Sequence, residues 1–430
     1  MPIDNVKDLQ SVFGVKIITR DTGGKDDRII SIPSDLIMEC FFIEDIFSIS
    51  TTGKMIFLDP VGGIELLPIT GHEQLAVVFG SALEREMRFD IWSITNIEQI
   101  QQPESAAQSL IEIIFVDTHF QRLTQLEYSK SWTNTRISDI IKDITENMLY
   151  ITSWGHFEET NETLPYFYMP YWTPVEAIRW LSERASSREN GTAGYLFYII
   201  KEKANFVTME KLFQQKNIEK TETDNVPLYY KFSQAAGGMG YVNALMDWNL
   251  SSIDKLSLSG LRGGHRMGYD FETKTFIDNS YNYTTSIRNY TMHGKRTLYP
   301  PLDYAGAKFT NTGENDSAVI DNIYNSEFIH RYSKQLALIA TLMGHERREA
   351  GTMAYIEWPS TLPSEKVNKM MEGKYLIKSI THYLSAKAVP PYKNKVVFLR
   401  NAYTDCDNRT LTASTIVDID VNVKAIGSRR

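Results

Sequence analysis

The stretch closest to a catalytic signature is Gly344-His345-Glu346-Arg347-Arg348-Glu349. A zinc-hydrolase helix carries His at positions i and i+4 on one face, with a Glu beside the first His as general base. Here the residue four after His345 is Glu349, so two imidazoles cannot converge on a metal. The two cysteines, Cys40 and Cys406, belong to no CxxC or Cys/His cluster and give no zinc site or disulfide framework. Gly62-Gly63 lacks both the Lys-Ser/Thr of a phosphate loop and the GxGxxG spacing of a dinucleotide site. Arg262, His265 and Arg266 make a small basic, Gly-rich patch, suited to an acidic neighbour and too small to grip nucleic acid. There is no GxSxG and no Cys/His pair, and nothing singles out two carboxylates that would flank a glycosidic bond. These residues therefore assign no catalytic, cofactor-binding or metal-binding site, and the expectation is a non-enzyme without a cofactor.

The dense aromatic run Tyr166-Phe167-Tyr168-Met169-Pro170-Tyr171-Trp172 has three readings. It packs behind a following helix, or it is a protein interface, or it is a sugar-binding platform. Composition narrows the partners. Lys and Arg total 45 against 53 Asp and Glu, a formal charge of −8, which suits a surface that does not hold DNA. Aromatics are 12% of the 430 residues, with 23 Tyr, the side chain that joins apolar area to a polar tip at interfaces. No run of 18 apolar residues predicts a transmembrane helix, and MPIDNVKDLQ has no signal-peptide core, so assembly in a reducing cytoplasm is expected.

The elements that must position these residues are mostly strands. Segments 15–19, 36–49, 54–58, 64–69, 74–79, 87–96 and 109–117 read as short strands with turns between them, an all-β barrel or sandwich. Ile137, Ile140, Ile141, Ile144, Met148 and Ile151 share one helical face. Thr173-Pro174-Val175-Glu176 spells a capping box, opening a helix to about Ser187 with Ile178, Leu181 and Ala185 inward. Residues 195–200 and 205–208 predict a hairpin, 209–225 a surface loop, and 299–321 a long loop. Phe328, Tyr332, Leu336, Ile339 and Met343 fall on one face of an expected helix over 326–343. The chain then forms two long strands, about 374–385 and 393–403, broken by Pro390-Pro391, which cannot donate to a ladder. Both faces of the first mix apolar and polar residues, so this hairpin belongs in a sheet covered on both sides, or in a barrel that also meets other subunits.

That hairpin, GKYLIKSITHYL at 373–384 and VVFLRNAY at 396–403, resembles the closing hairpin of the central baseplate hub proteins of contractile-tailed bacteriophages. The N-terminal half of type VI secretion spike proteins carries a similar unit. Three further stretches follow the family in order. Ile43 to Glu73 is similar to its first tube-forming barrel, with an acidic turn and a PITGHE segment. PYWTPVEAIRWLSERASS and GYLFYIIKEKANFVTMEKL are similar to its peripheral helix and strand pair, and GYDFETKTF to a later strand. The likeness spans roughly residues 30 to 405. The stretch around Arg262 and the run Glu346 to Glu349 do not match the pattern.

The resemblance implies an α+β, β-rich fold with two similar tube-type barrels. The first would cover 1–118, and the second 191–235 with 326–405. Peripheral α/β parts would cover 119–190 and 236–325, with 406–430 as a tail. It implies a homotrimer whose six barrels adapt a six-fold tail tube to a three-fold central spike. Expected partners are the spike, the tube or tube initiator, surrounding baseplate proteins, and DNA passing through the lumen, in a virion tail baseplate. Tyr and charged positions on the hairpin and barrel turns are the candidate interface: Asp59, Glu65, Glu73, Tyr375, Lys378, Tyr383, Tyr392, Arg400 and Tyr403. A carbohydrate- or receptor-binding tail protein and a cell-wall hydrolase are the alternatives.

Overall fold

The computed structural model describes residues 13–19, 28–60, 62, 73–80, 87–101, 109–215, 229–232, 244–245, 247–252, 263–270, 275–282, 297–298, 322–323, 326, 329–330, 336–360, 368 and 371–400. The first seven strands are β1 (Phe13–Thr19), β2 (Arg28–Ile32), β3 (Ile37–Asp45), β4 (Thr52–Asp59), β5 (Gln74–Gly80), β6 (Met87–Gln101) and β7 (Ser109–Asp117). They pair antiparallel in the order β3-β4-β7-β6-β5-β1-β2. The ends of this ribbon, β2 and β3, are joined through residues 33–36 alone, so it rolls upon itself. Period-2 alternation fills the roll, with Phe13, Val15, Ile17, Phe42, Met55, Leu75, Val77, Phe79, Trp92 and Phe115 in one core. The expected strand at 64–69 lies outside the described residues.

The middle of the chain holds α1 (Phe120–Thr124), β8 (Tyr128–Arg136), α2 (Ile137–Asn147), β9 (Trp154–Phe157), β10 (Thr163–Trp172), α3 (Pro174–Arg184), β11 (Tyr195–Ile200), β12 (Lys203–Thr208) and α4 (Met209–Phe213). The isoleucine face of α2 is buried against Ile178 and Leu181 of α3. The capping box is formed: Thr173 N donates to Glu176 Oε2 at 2.9 Å, and Glu176 N donates to Thr173 Oγ1 at 3.4 Å. Strand β11 is buried throughout and serves two cores by alternation. Tyr195, Phe197 and Ile199 join the helices, while Leu196, Tyr198 and Ile200 join the second β-rich core. The loop expected from 209 instead begins with α4, because Thr208 caps Lys211 N and Met209 and Leu212 find core positions.

The remaining strands are β13 (Tyr229–Phe232), β14 (Ala244–Leu245), β15 (Asp247–Ser252), β16 (Gly263–Asp270), β17 (Thr275–Asn282), β18 (Thr297–Leu298), β19 (Leu336–Met343), β20 (Met353–Glu357), β21 (Gly373–Leu384) and β22 (Tyr392–Arg400). Seven of them form a second ribbon, β15-β19-β22-β21-β20-β13-β14. Its ends, β14 and β15, stand one residue apart in sequence, so it too rolls round its own core, which holds Tyr230, Leu338, Ala340, Leu342, Ile356, Tyr375, Leu376, Val396 and Phe398. Here the expected helix over 326–343 is corrected: 336–343 is β19, a central strand between β15 and β22. Its run LALIATLM is apolar on both faces, and such a run satisfies helical and strand spacing alike. The β16–β17 hairpin, with β18 beside it, forms a separate small sheet. The residues expected as a loop at 299–321 lie outside the described set.

Candidate functional site: the seam between two β-rich cores

The two ribbons are one sheet, because β21 belongs to both. Its first residues pair with β20, its last pair with Cys40–Asp45 of β3, and β22 runs along its other edge from Leu376 to Leu384. Leu384 and Tyr392 therefore pack in the first core, while Tyr375, Ile377, Ile380, Val396 and Phe398 pack in the second. The register carries an unbroken rung across six strands, Met343–Lys393–Tyr383–Phe41–Lys54–Ile114. These side chains share the face turned away from both cores, and all are partly or fully exposed. Two ion pairs lie on this face, Lys54–Glu112 at 2.8 Å and Lys378–Asp45 at 2.9 Å.

Behind the seam runs a buried polar chain. Glu44, on the inner face of β3, meets Arg88 Nη2 at 2.7 Å, and Arg88 Nε meets Asp90 at 2.7 Å. The guanidinium also sits over Phe42 and Phe79, 5.7 and 5.4 Å from their ring centres. His382 stacks on Phe42 with centroids 4.5 Å apart, and its Nε2 is 3.8 Å from Glu44. Its Nδ1 faces Tyr392 OH at 2.8 Å and accepts from Asn394 Nδ2 at 3.2 Å, which places the ring proton on Nε2, toward Glu44. Asn394 Oδ1 in turn accepts from His345 N at 2.8 Å and from Arg348 Nη1. Arg348 Nε donates to Tyr230 OH at 3.1 Å, inside the second core. The chain of contacts thus runs from Phe42 in one core to Tyr230 in the other.

Burial sets the charge states. It disfavours a charged Glu44, but Arg88, with His382 adding to it, overrides this and holds the carboxyl below its usual range. Burial opposes Arg88 as well, and Glu44 and Asp90 keep it firmly protonated. Burial lowers His382 to about 4, so it is neutral near neutral pH. It lowers His345 to about 4 too, helped by Arg348. For Asp90 burial dominates and raises the carboxyl. The arrangement ties the two cores together through intrachain contacts, and Cys40 beside it is buried with its thiol pushed up to about 12.

The residues singled out from the sequence divide. Tyr375, Tyr392 and Arg400 point into the chain's own interior. Tyr375 OH and Arg400 Nη1 both donate to Met371 O, at 2.7 and 2.8 Å, and the guanidinium lies 5.1 Å from the Tyr375 ring centre. Asp59 and Glu73 are buried at strand ends. Lys378 and Tyr383 lie on the outward face of the seam. Glu65, Tyr403 and Arg262 lie outside the described residues, and His265 and Arg266 lie on β16. The aromatic run is strand β10 and splits by alternation. Phe167 and Met169 pack beneath α3, with Phe167 5.2 Å from Trp180, while Tyr166, Tyr168 and Tyr171 are exposed. Sequence reading missed Glu44, Arg88, His382 and Asn394. The signal present was a charged or polar residue at an inward position of a strand, such as Glu44 two after Phe42. The segment 344–349, nearest to a metal motif, serves instead to anchor Arg348 between the cores.

Two rolled ribbons sharing one sheet, with a helical unit between them in sequence, define a fold found in tail proteins. A tail protein from Neisseria meningitidis MC58 superposes with TM-score 0.54 at 9% identity, over 90% of this chain and 97% of that one. The 43 kDa tail protein of prophage MuSo2 from Shewanella oneidensis gives TM-score 0.52 at 10% identity, over 90% and 98%. A chain of the Francisella PdpA–VgrG complex gives TM-score 0.52 at 9% identity, over 90% of this chain and 58% of that one. No protein-family model and no curated protein sequence matches the chain.

Proposed function

We propose that this chain is a structural hub of a contractile tail baseplate. One observation carries the reading: a single sheet runs unbroken through two rolled seven-stranded ribbons, so one chain supplies two neighbouring staves of a tube wall. The tail-protein fold supports it. Three copies would bring six ribbons into a ring that matches a six-fold tube on one side and a three-fold spike on the other, since a cyclic trimer closes on itself. The outward face of the seam would line the conduit, where the pairs Lys54–Glu112 and Lys378–Asp45 offset charge and leave DNA little to grip. On this reading the two ribbons, 13–117 and 229–252 with 336–400, are the two tube units, so the second takes β14 and β15 from the range 236–325 expected as peripheral, and the site of action is the virion tail. Lys378 and Tyr383, expected as contact positions, lie on that same face and would border the conduit.

Light scattering tests the proposal. A purified mass near three times 49.3 kDa, rising by three spike chains when a candidate spike is added, is the expected result. A monomer indifferent to the spike overturns it. A second reading, glycan recognition, draws on one feature only, the exposed trio Tyr166, Tyr168 and Tyr171. It requires glycan binding that Tyr171→Ala abolishes.

A further inference from the structure

A cleft of about 470 Å³ opens where three parts of the chain meet. Its walls are the start of β6 (Met87, Phe89, Ile91), the turn between β11 and β12 (Lys201, Glu202) and the loop after β19 (Glu346, Arg347). Each wall has a distinct chemistry. Met87 and Phe89 form an apolar lip, 46% and 57% exposed. Arg88 and Asp90 alternate with these residues on β6, and the Arg88 guanidinium turns inward to Glu44, Phe42 and Phe79. Lys201 and Glu202 both have positive φ, 50° and 59°, in a two-residue turn where Asn-Gly would sit without strain. That turn holds Lys201 Nζ against Glu349 at 2.6 Å and leaves Glu202 exposed, without an ion-pair partner among the described residues.

The loop that joins β21 to β22 is the complement of this cleft. Val389 stands 74% exposed at its tip. Lys387 is the one charge in 386–391. Pro390 and Pro391 have no N–H, so the tip carries acceptors in excess of donors. Its apolar residue and its cation answer the lip and the acid. The tip does not line the cleft of its own chain. It does leave the sheet at the same end, since Gly344 N, beside the cleft loop, donates to Tyr392 O at 3.0 Å. Head-to-tail contacts between copies close into a ring where the rotation they set divides a full turn.

We infer that the 386–391 tip of one copy seats in this cleft of the next copy, with Val389 against Met87 and Phe89 and Lys387 beside Glu202. The inference rests on the trimer reading above and names the contact that makes it. The test is a Cys406→Ser chain carrying Val389→Cys and Phe89→Cys, treated with a short bis-maleimide after its native mass has been measured. Cys40 stays silent because it is buried. Covalent dimers and trimers on a denaturing gel, absent from either single-cysteine control, are expected. A trimeric native mass with no ladder overturns the tip-in-cleft contact and leaves the trimer standing. A monomeric native mass of the unsubstituted chain overturns both, and cross-linking to added spike chains instead moves the tip's partner and overturns the contact. Independently, Glu202→Lys is expected to weaken the trimer about tenfold through a like-charge meeting with Lys387. Adding Lys387→Glu is expected to restore it, and a pair no tighter than the single variant overturns the contact as well.

Discussion

The two ribbons have the same number of strands and the same trick of closure, yet they are made differently. The first draws its seven strands from one continuous stretch, 13–117, and every pairing in it is antiparallel. The second gathers strands from 229–252 and from 336–400, and its β13 pairs parallel with both β14 and β20. Local pairing forms with short loop closures, whereas the second ribbon must bring distant segments together before any contact rewards them. The β21–β22 hairpin reconciles the two. It is local, it carries residues of both cores, and it offers the first ribbon as a template for the second.

The largest effect should come from breaking the polar seam that holds the ribbons as one unit. Glu44→Ala leaves Arg88 buried with Asp90 as its remaining partner, an uncompensated change expected to cost about 3–5 kcal/mol. Denaturant unfolding followed at Trp92 in the first core and Tyr230 in the second should show both shifting together. If only one moves, the ribbons are separate units. Acid comes next. His382 has a folded value of about 4 against an ordinary 6.5, so its neutral form stabilises the fold fully above pH 6.5. That contribution is lost as pH falls from 6.5 toward 4, where the unfolded chain binds the proton and the folded chain does not. The loss is on the order of 3 kcal/mol. Melting across this window should fall steeply, and His382→Phe should flatten the slope. Gly53→Ala probes the first ribbon alone. A Cβ there would run into the Phe115 ring and stand 2.7 Å from Phe41 O, an overpacking worth about 1–3 kcal/mol. Its effect should appear first at Trp92.

The same contrast explains what could be read from the sequence. In the first ribbon most strands pair with close neighbours in sequence, so local signals and tertiary structure agree, although the turn expected at Thr51-Thr52-Gly53 falls at 46–51, and Thr52 and Gly53 already pair with Ile43 and Phe42 of β3. Capping at Thr173 and the isoleucine stripe of α2 were legible for the same reason. β19 was not, because its partners β15 and β22 lie far away in sequence and its own residues fit either period. The interface candidates were the least legible. Alternation tells that Tyr375 and Lys378 differ in face, but which face is outward depends on β3 and β20, and the β-bulge between Ile377 and Ser379 shifts the count. Glu44 and His382 could not be paired from sequence because they stand 338 positions apart, on strands brought together only by the fold.

The smallest effect should spare both ribbons. Thr173 caps α3 in the unit between them, and its side chain takes part in two hydrogen bonds with Glu176, at 2.9 and 3.4 Å, both exposed to solvent. Thr173→Ala removes these and is expected to cost about 1 kcal/mol. The helix packs on Phe167 and Ile144, not on the seam. Hydrogen exchange should therefore quicken in α3, and more weakly in α2, while amides of β3, β4 and β21 keep their protection. β11 gives this small perturbation its use, because its alternate residues serve the helical core and the second ribbon's core. If protection at Leu196 and Tyr198 also falls, the helical unit and the second ribbon open together, and the first ribbon is the only independent roll in the chain.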